Sequence, residues 1–234
     1  MGKTGFPITM QMESIVAILF SNLTLELIVK RALLVGAMFL GMHGMAAYAA
    51  GDAAAGEAQS MACAACHGAD GATGIDPTYP NLAGQNEKYL LRQLKMIQSG
   101  ERALPLMTGQ LTGKTEQQLA DIAAYYASLP GKVSQASGGD VSIVNGEQIY
   151  RAGIARKGVA ACSACHDPNG GGNAQAGFPR LSGQPAAYTV AQLTAYREQR
   201  RATDENTGGM MRGVAEGLTD TEIAQVADYI QGLH

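Results

Sequence analysis

The most constraining feature of this sequence is an internal duplication. Cys63-Ala-Ala-Cys66-His67 recurs 99 residues later as Cys162-Ser-Ala-Cys165-His166. The same spacing relates Pro80-x-Leu82-x-Gly84-Gln85 to Pro179-x-Leu181-x-Gly183-Gln184, Tyr89 to Tyr188, and Gln93 to Gln192. Two copies of this length match the size of small domains and are too few and too long for a stacked repeat array. The duplication therefore predicts two tandem domains, each of which contains one Cys-x-x-Cys-His motif at an equivalent position.

Helical signals dominate both copies. Thr115–Gln118 and Thr219–Glu222 read as capping boxes, each followed by apolar residues at helical spacing. Asn86 and Pro185 are expected to begin equivalent helices, and further helices should lead into the two cysteine motifs from about Ala53 and Gly146. No segment shows sustained strand alternation, so the predicted fold class is all-α.

The spacing between the copies lengthens toward their C-terminal ends. Met107-x-Gly109 matches Met211-x-Gly213 at a spacing of 104 residues, which implies a five-residue insertion in the second copy after Gln192. The polar stretch Arg200–Gly209 is the expected place for it, as a loop.

The N-terminal segment resembles an export signal. Lys30-Arg31, the apolar run Ala32–Met42 and Ala47-Tyr48-Ala49 have the order of a basic region, a hydrophobic region and a small-residue cleavage site. We predict cleavage after Ala49, with residues 1–49 as leader; an uncleaved anchor is the alternative. The expected domains are then 50–130 and 143–234, joined by the polar linker 131–142.

The Cys-x-x-Cys-His motif is the attachment signature of c-type haem. On a helical turn the two cysteines and the histidine share one face, so both sulfurs and the imidazole reach the same group. A redox dithiol would not need the histidine, and the long gap between the pairs fits no common zinc-site spacing. We therefore expect two covalent haem c groups, on Cys63 and Cys66 and on Cys162 and Cys165, with His67 and His166 binding the irons.

The opposite iron ligands follow by elimination. The only histidine after residue 49 besides His67 and His166 is the C-terminal His234, which has no counterpart in the first copy. Methionine is then the natural remaining ligand. The repeat selects Met107, and the shared Met-x-Gly pattern favours Met211, with Met210 as the alternative.

Other repeated or charged residues have two readings each. Pro80 and Pro179 either fix the loop beneath the histidine or are ordinary turn prolines. The tyrosines and glutamines at 89, 93, 188 and 192 either bond haem propionates or pack between helices, and packing is favoured for the tyrosines. Lys88, Arg92 and Lys95 are expected to form a solvated face. The net charge of −3 gives no basic patch for nucleic acid.

Taken together, these residues resemble the cytochrome c4 family of dihaem class I cytochromes. The resemblance covers the whole chain after the leader, including Leu82-Ala-Gly-Gln85, Met107-Thr-Gly109, Met211-Arg-Gly213 and the C-terminal Tyr229–His234. It departs at Leu111-Thr-Gly-Lys114, where a Leu-Ser-Asp type cap is usual. The resemblance implies two class I cytochrome c domains with His/Met ligation, a periplasmic location, and loose membrane association. It also implies electron delivery from respiratory donors to a terminal oxidase or another reductase.

An electron carrier is therefore the leading hypothesis. Six-coordinate irons would leave no position for a small-molecule substrate, so no catalytic residues are expected. Two alternatives remain: a dihaem peroxidase-like enzyme in which one haem loses a ligand, and a cytochrome subunit held in an oxidoreductase complex.

Overall fold

The computed structural model describes residues 50–107 and 109–234. The predicted leader, its cleavage after Ala49 and the alternative of an anchor all lie outside the described residues. Within the described ranges, no helix is both long enough and apolar enough to cross a membrane.

The described residues form helices without extended strands. The first copy contains α1 (Ala53–Gln59), α2 (Met61–His67), α3 (Glu87–Gln98) and α4 (Glu116–Ser128). The second contains α5 (Asp140–Ala152), α6 (Ser163–His166), α7 (Ala186–Arg197), α8 (Met210–Glu216) and α9 (Asp220–Gly232), with 3-10 helices at Ala155–Lys157 and Ala202–Thr207. Only two isolated β-bridges occur in these ranges, Ile154 with Val159 and Asn173 with Phe178. This confirms the all-α prediction for the described part of the chain.

Each copy is organised around one pair of crossing helices. Helix α1 packs on α4, and α5 packs on α9 in the same way. A glycine lies at each crossing: a Cβ on Gly56 would lie 2.0 Å from the Asp121 carbonyl oxygen, and one on Gly146 would lie 2.2 Å from that of Gln225. Because only glycine permits this approach, Gly56 and Gly146 fix where the helices cross.

The two copies differ between this glycine and the cysteine motif. Cys63 follows Gly56 by seven residues, whereas Cys162 follows Gly146 by sixteen. In the first copy the predicted continuous helix is interrupted only at Ser60, between α1 and α2. In the second copy α5 ends at Ala152, and a 3-10 turn intervenes before the short α6. The expectation of one helix running into each motif was therefore wrong, more so in the second copy.

Both predicted capping boxes are confirmed. The Thr115 and Thr219 hydroxyls accept the backbone N–H groups of Gln118 and Glu222, whose side chains bond back to the cap residues. Asn86 lies at the N-cap of α3 but makes no side-chain capping bond. Its side-chain amide donates instead to the Phe178 carbonyl in the second copy.

The position of the insertion is also clarified. Arg102 and Arg201, still 99 residues apart, make equivalent contacts, so the insertion follows Arg201. The residues expected to form a loop include the 3-10 helix Ala202–Thr207, whose Asp204 side chain accepts the backbone N–H groups of Met211 and Arg212.

Two hydrophobic clusters, one in each copy, form the interior. The first centres on Leu90, Ile122 and Tyr126, with Cys63 packed against it. The second centres on Tyr150, Ile223 and Val226, with Cys162 packed against it. Each cluster thus reaches the first cysteine of its motif, which places both predicted attachment sites at the edge of an apolar core.

Candidate functional site

The first cysteine motif lies on α2, and the second begins at the N-cap of α6; each short helix presents its histidine to the interior. His67 and His166 are only 7 % and 6 % exposed. Cys63 and Cys162 are half-buried, whereas Cys66 and Cys165 are exposed, and all four thiols are free. The sequence prediction that the three groups of each motif act as one site is compatible with this placement.

The histidine rings are held in equivalent orientations. Nδ1 of His67 lies 3.0 Å from the Pro80 carbonyl oxygen, and Nδ1 of His166 lies 2.9 Å from that of Pro179. A carbonyl oxygen only accepts, so each Nδ1 carries the proton and Nε2 keeps its lone pair. Burial lowers the pKa of both histidines, which favours the neutral imidazole that binds metals. Both rings are therefore prepared to bind an iron through Nε2.

Each of these carbonyl groups belongs to a short backbone segment, the strap, which covers residues 80–83 in the first copy and 179–182 in the second. Backbone hydrogen bonds hold each strap in place. In the first copy the N–H groups of Leu82 and Ala83 donate to the Gly71 carbonyl, at 2.7 and 3.0 Å. In the second copy Leu181 and Ser182 donate to Gly170 at 2.8 and 3.1 Å. Pro80 and Pro179 thus belong to straps that orient the histidines, which favours the first of the two sequence readings over plain turn prolines.

The cysteine environments argue against a redox dithiol. Burial raises the pKa of the Cys63 thiol and raises that of Cys162 to about 11. A catalytic dithiol instead needs a depressed pKa to supply thiolate. The described residues contain no cluster of three or more His, Cys, Asp or Glu side chains that would hold a metal ion by themselves.

The candidate methionines occupy different kinds of structure. Met107 is half-buried in the turn after α3 and lines a cavity of about 280 Å³ together with Leu104 and Leu111. Met211 is half-buried in the first turn of α8, whereas its neighbour Met210 is 46 % exposed. Met61, which lies next to the first cysteine motif, is 80 % exposed. The assignment of Met107 and Met211 as iron ligands stays a prediction.

Aromatic neighbours of the histidines were missed by the sequence analysis. The ring of Tyr79 lies 6.1 Å from that of His67, and the ring of Phe178 lies 6.1 Å from that of His166. Both aromatic residues directly precede the strap prolines and are 99 residues apart. This repeated aromatic-proline pair was the available signal.

The repeated tyrosines and glutamines meet between the two copies around two arginines. Arg102 donates to Gln93 Oε1 at 2.8 Å and, across the contact, to Gln192 Oε1 at 3.1 Å. Arg201 mirrors this, donating to Gln192 Oε1 at 2.8 Å and to Gln93 Oε1 at 3.2 Å. The tyrosine hydroxyls complete the group, at 3.4 Å from Arg102 for Tyr188 and 3.1 Å from Arg201 for Tyr89. Packing between helices was favoured for the tyrosines, and the structure adds that their hydroxyls accept hydrogen bonds from an arginine of the opposite copy.

This arginine cluster carries two positive charges without a carboxylate among its described partners. Although burial opposes ionisation, the adjacent Arg201 and Arg102 lower the pKa of Tyr89. The buried Nε atoms of Arg201 and Arg180 have no hydrogen-bond partner among the described residues. Buried, unpartnered donor atoms on cationic side chains suit an anionic group.

The expected solvated face is partly a contact surface. Lys88 donates to the Gln175 carbonyl at 2.8 Å, and Arg92 donates to that of Gly177 at 3.0 Å, both in the second copy. Lys95 forms an ion pair with Glu116 in its own copy. Lys88 is exposed, as expected, although it bonds the second copy, whereas Arg92 is half-buried and the expectation was wrong for it.

Comparisons with known proteins find one family consistently. The family model for cytochrome c matches residues 53–130 and 143–234. Cytochrome c4 of Pseudomonas aeruginosa is 48% identical over 196 residues, covering 83% of this chain and 94% of the relative. The crystal structure of reduced recombinant cytochrome c4 from Pseudomonas stutzeri has a TM-score of 0.75 at 46% identity, covering 79% of this chain and 100% of that one.

A more distant relative has a more specific name. The thiosulfate dehydrogenase electron acceptor of Thiomonas intermedia is 36% identical over 179 residues, which is 76% of this chain and 81% of the relative.

Proposed function

We propose, for a chain that belongs to the cytochrome c4 family, that His67 and Met107 ligate one haem iron and that His166 and Met211 ligate the other. Membership of the family confirms the tandem cytochrome c fold, two covalently bound haem c groups and a role in electron transfer rather than catalysis. The carrier role disfavours the alternative of a peroxidase-like enzyme.

The orientation of the two histidines is the observation that carries this assignment. Each ring directs its Nδ1 proton to a strap carbonyl and keeps Nε2 for an iron. Cys63 with Cys66 on α2, and Cys162 with Cys165 at the N-cap and within α6, would form the thioether bonds. Each bound haem supplies an iron that alternates between the ferric and ferrous states.

Burial favours Met211 over Met210 as the second methionine ligand. Met211 is half-buried, whereas Met210 is 46 % exposed. The Asp204 carboxylate accepts the Met211 backbone N–H at 3.3 Å, which anchors the start of α8. A methionine ligand on an anchored helix keeps the sulfur in one place during electron transfer, when the iron changes charge but should not change ligand.

The arginine cluster fits haem propionates. Arg102 and Arg201 lack a carboxylate partner in the described structure, and Arg201 Nε has no acceptor. Propionates are the anions that a bound haem would supply, and guanidinium groups bind carboxylates through paired hydrogen bonds. The cluster joins both copies, so it would hold propionates at the contact between them.

The partners are proposed as respiratory proteins in the periplasm. A respiratory donor would reduce the carrier, and a terminal oxidase or another reductase would reoxidise it, with peripheral attachment to the membrane. The relative named as a thiosulfate dehydrogenase electron acceptor supports a second candidate donor, an enzyme that oxidises thiosulfate. A permanent place as a subunit of an oxidoreductase complex would require a partner that co-purifies with the chain.

The ligand assignment is tested by spectroscopy of the purified holoprotein. Two low-spin haems with methionine–iron charge-transfer absorption are expected. Met107→Ala and Met211→Ala should each abolish this absorption at one haem, whereas Met210→Ala should leave both intact. Loss on Met210→Ala with retention on Met211→Ala would refute the choice of Met211, and a high-spin haem in the unsubstituted protein would revive the peroxidase alternative.

The partner assignment is tested by stopped-flow kinetics. Reduced holoprotein should be oxidised by a purified terminal oxidase at a rate that saturates with oxidase concentration. Rapid reduction of the oxidised holoprotein by thiosulfate dehydrogenase in the presence of thiosulfate would support the second candidate donor, and no reduction would count against it.

A further inference from the structure

The two copies exchange a reciprocal pair of glutamine contacts. The Asn81 N–H donates to Gln184 Oε1 at 3.0 Å, and Gln184 Nε2 donates back to the Asn81 carbonyl at 2.7 Å. In the mirrored contact the Arg180 N–H donates to Gln85 Oε1 at 2.7 Å, and Gln85 Nε2 donates to the Arg180 carbonyl at 2.9 Å. Each glutamine side chain thus pairs with the backbone of one residue in the opposite copy.

Those backbone residues directly follow the strap prolines. The N–H of Asn81 and the carbonyl of Pro80 belong to the same peptide group, and that carbonyl accepts the proton of His67 Nδ1. One peptide group therefore joins Gln184 of the second copy to the histidine of the first. By the same geometry, the peptide group between Pro179 and Arg180 joins Gln85 to His166.

The contacts of Gln184 with Asn81 are buried, and those of Gln85 with Arg180 are part-buried. Gln85 is 5 % exposed, while Gln184 and Asn81 are each 6 % exposed. Little water therefore reaches the two glutamine side chains, and hydrogen bonds in series polarise one another in such surroundings. A peptide group whose N–H donates to an acceptor has a more negative carbonyl oxygen, which is a stronger acceptor for the histidine proton.

From this geometry we infer that Gln184 is a positioning residue for the haem of the first copy and that Gln85 is one for the haem of the second. The inference rests on the proposed histidine ligation. Each glutamine strengthens the bond from the opposite histidine to its strap carbonyl, which makes that imidazole a stronger donor to iron. A stronger donor stabilises the ferric state, so each glutamine lowers the reduction potential of the haem in the other copy.

The experiment compares Gln184→Met with Gln85→Met in the full-length holoprotein. Methionine is close to glutamine in size and has no amide group. Hyperfine-shifted haem methyl resonances, followed during a redox titration, give a separate midpoint for each haem, and Met107→Ala identifies the set that belongs to the first copy. Gln184→Met should raise the potential of the first haem and leave the second unchanged, and Gln85→Met should do the reverse.

Asn86→Ala is the matched control, because Asn86 also bridges the copies but bonds the Phe178 carbonyl, whose peptide group receives no hydrogen bond from a histidine. It should shift neither potential selectively. For the two glutamine variants, four results would overturn the inference. These are a potential shift confined to the haem of the substituted copy, an equal shift in both haems, a downward shift, and no shift.

Hydrogen exchange in the unsubstituted protein tests the same bonds if a variant does not fold. The Asn81 and Arg180 amides should exchange slowly in both oxidation states, and fast exchange at either would overturn the inference. Failure of the underlying ligation would look different: the ferrous protein would lack a His67 or His166 ring resonance displaced by the haem ring current.

Discussion

Arg102 and Arg201 occupy equivalent positions in the two copies, and each guanidinium donates to the side-chain oxygens of both Gln93 and Gln192. Neither cation has a carboxylate among these partners. Two like charges are thus held together at the contact between the copies, and this arrangement gives the first prediction.

Replacing Arg201 with methionine should lower the reduction potential of the holoprotein. A half-buried cation disfavours the ferric haem, which carries one more positive charge than the ferrous haem, so its removal favours oxidation. The measurement is a spectroscopic redox titration at constant ionic strength. Arg200→Met is the matched control, because Arg200 is adjacent in sequence, carries the same charge and has a side chain that is 62% exposed. An equal change in both variants would contradict this account.

Replacing Asp228 with alanine should loosen the segment between the copies. The buried Asp228 carboxylate accepts the Ser137 N–H at 2.8 Å, the Ser137 hydroxyl at 3.0 Å and the Gly138 N–H at 2.9 Å. Losing an acceptor for buried donors costs about 1–3 kcal/mol. Urea unfolding should show this loss, and limited proteolysis should cut faster within residues 131–139. Asp140→Ala, at an exposed position at the start of α5, should have a much smaller effect; equal proteolysis in the two variants would refute the prediction.

Alanine at Gly56 or Gly146 should destabilise its own copy. The added Cβ would lie within 2.0 Å or 2.2 Å of a backbone carbonyl oxygen, so the crossing helices must separate. Overpacking of this kind costs about 1–3 kcal/mol. Thermal unfolding followed by circular dichroism measures the change. Gly139→Ser is the control, since no atom lies within 4 Å of a Cβ there and serine is a preferred N-cap residue. Unchanged stability in both helix-crossing variants would show that the crossing can relax.

The contribution of Glu222 to the stability of the second copy should decrease when the pH becomes acidic. Hydrogen bonds from Lys157, at 2.6 and 2.8 Å, and from the Thr219 cap hold the pKa of Glu222 at about 2, below its ordinary value of 4.5. A carboxylate with a depressed pKa stabilises the fold fully above its unfolded pKa and loses that contribution as the pH falls through its folded pKa.

The test compares the urea unfolding of Glu222→Gln with that of the unsubstituted protein. The variant should be less stable by about 1 kcal/mol at pH 7. The difference should shrink between pH 4.5 and about 2. The first copy has Gln118 at the corresponding capping position, so Gln118→Ala should cost the same at every pH. A constant difference for Glu222→Gln across this range would contradict the prediction.

Local sequence signals predicted the parts of the fold that depend on neighbouring residues. The capping boxes at Thr115 and Thr219 formed as expected because their donors and acceptors lie within one helical turn. Asn86 carries an equally good capping side chain but bonds the distant Phe178 carbonyl. The sequence alone could not predict this, because the competing acceptor lies 92 residues away.

In the candidate site, too, features set by neighbouring residues were predictable from the sequence, whereas contacts between distant residues were not. The motif indicated both cysteine pairs and both histidines, since their spacing is local. Arg102 and Arg201 carried no recognised motif, and their shared spacing becomes informative only when the two copies are seen to meet. Likewise, Lys88 and Arg92 could be distinguished from an ordinary charged helix face only by their distant carbonyl partners.

The paired contacts of Gln85 and Gln184 have a consequence for how such a chain could arise. Position 85 meets position 180, and position 184 meets position 81, so equivalent surfaces face each other across an approximate two-fold axis. An interface of this isologous kind is complementary to its own copy. A single ancestral domain carrying the glutamine and the strap would already possess both sides of the contact. Gene duplication and fusion would then convert a symmetric dimer into one chain, leaving each half free to diverge around an inherited interface.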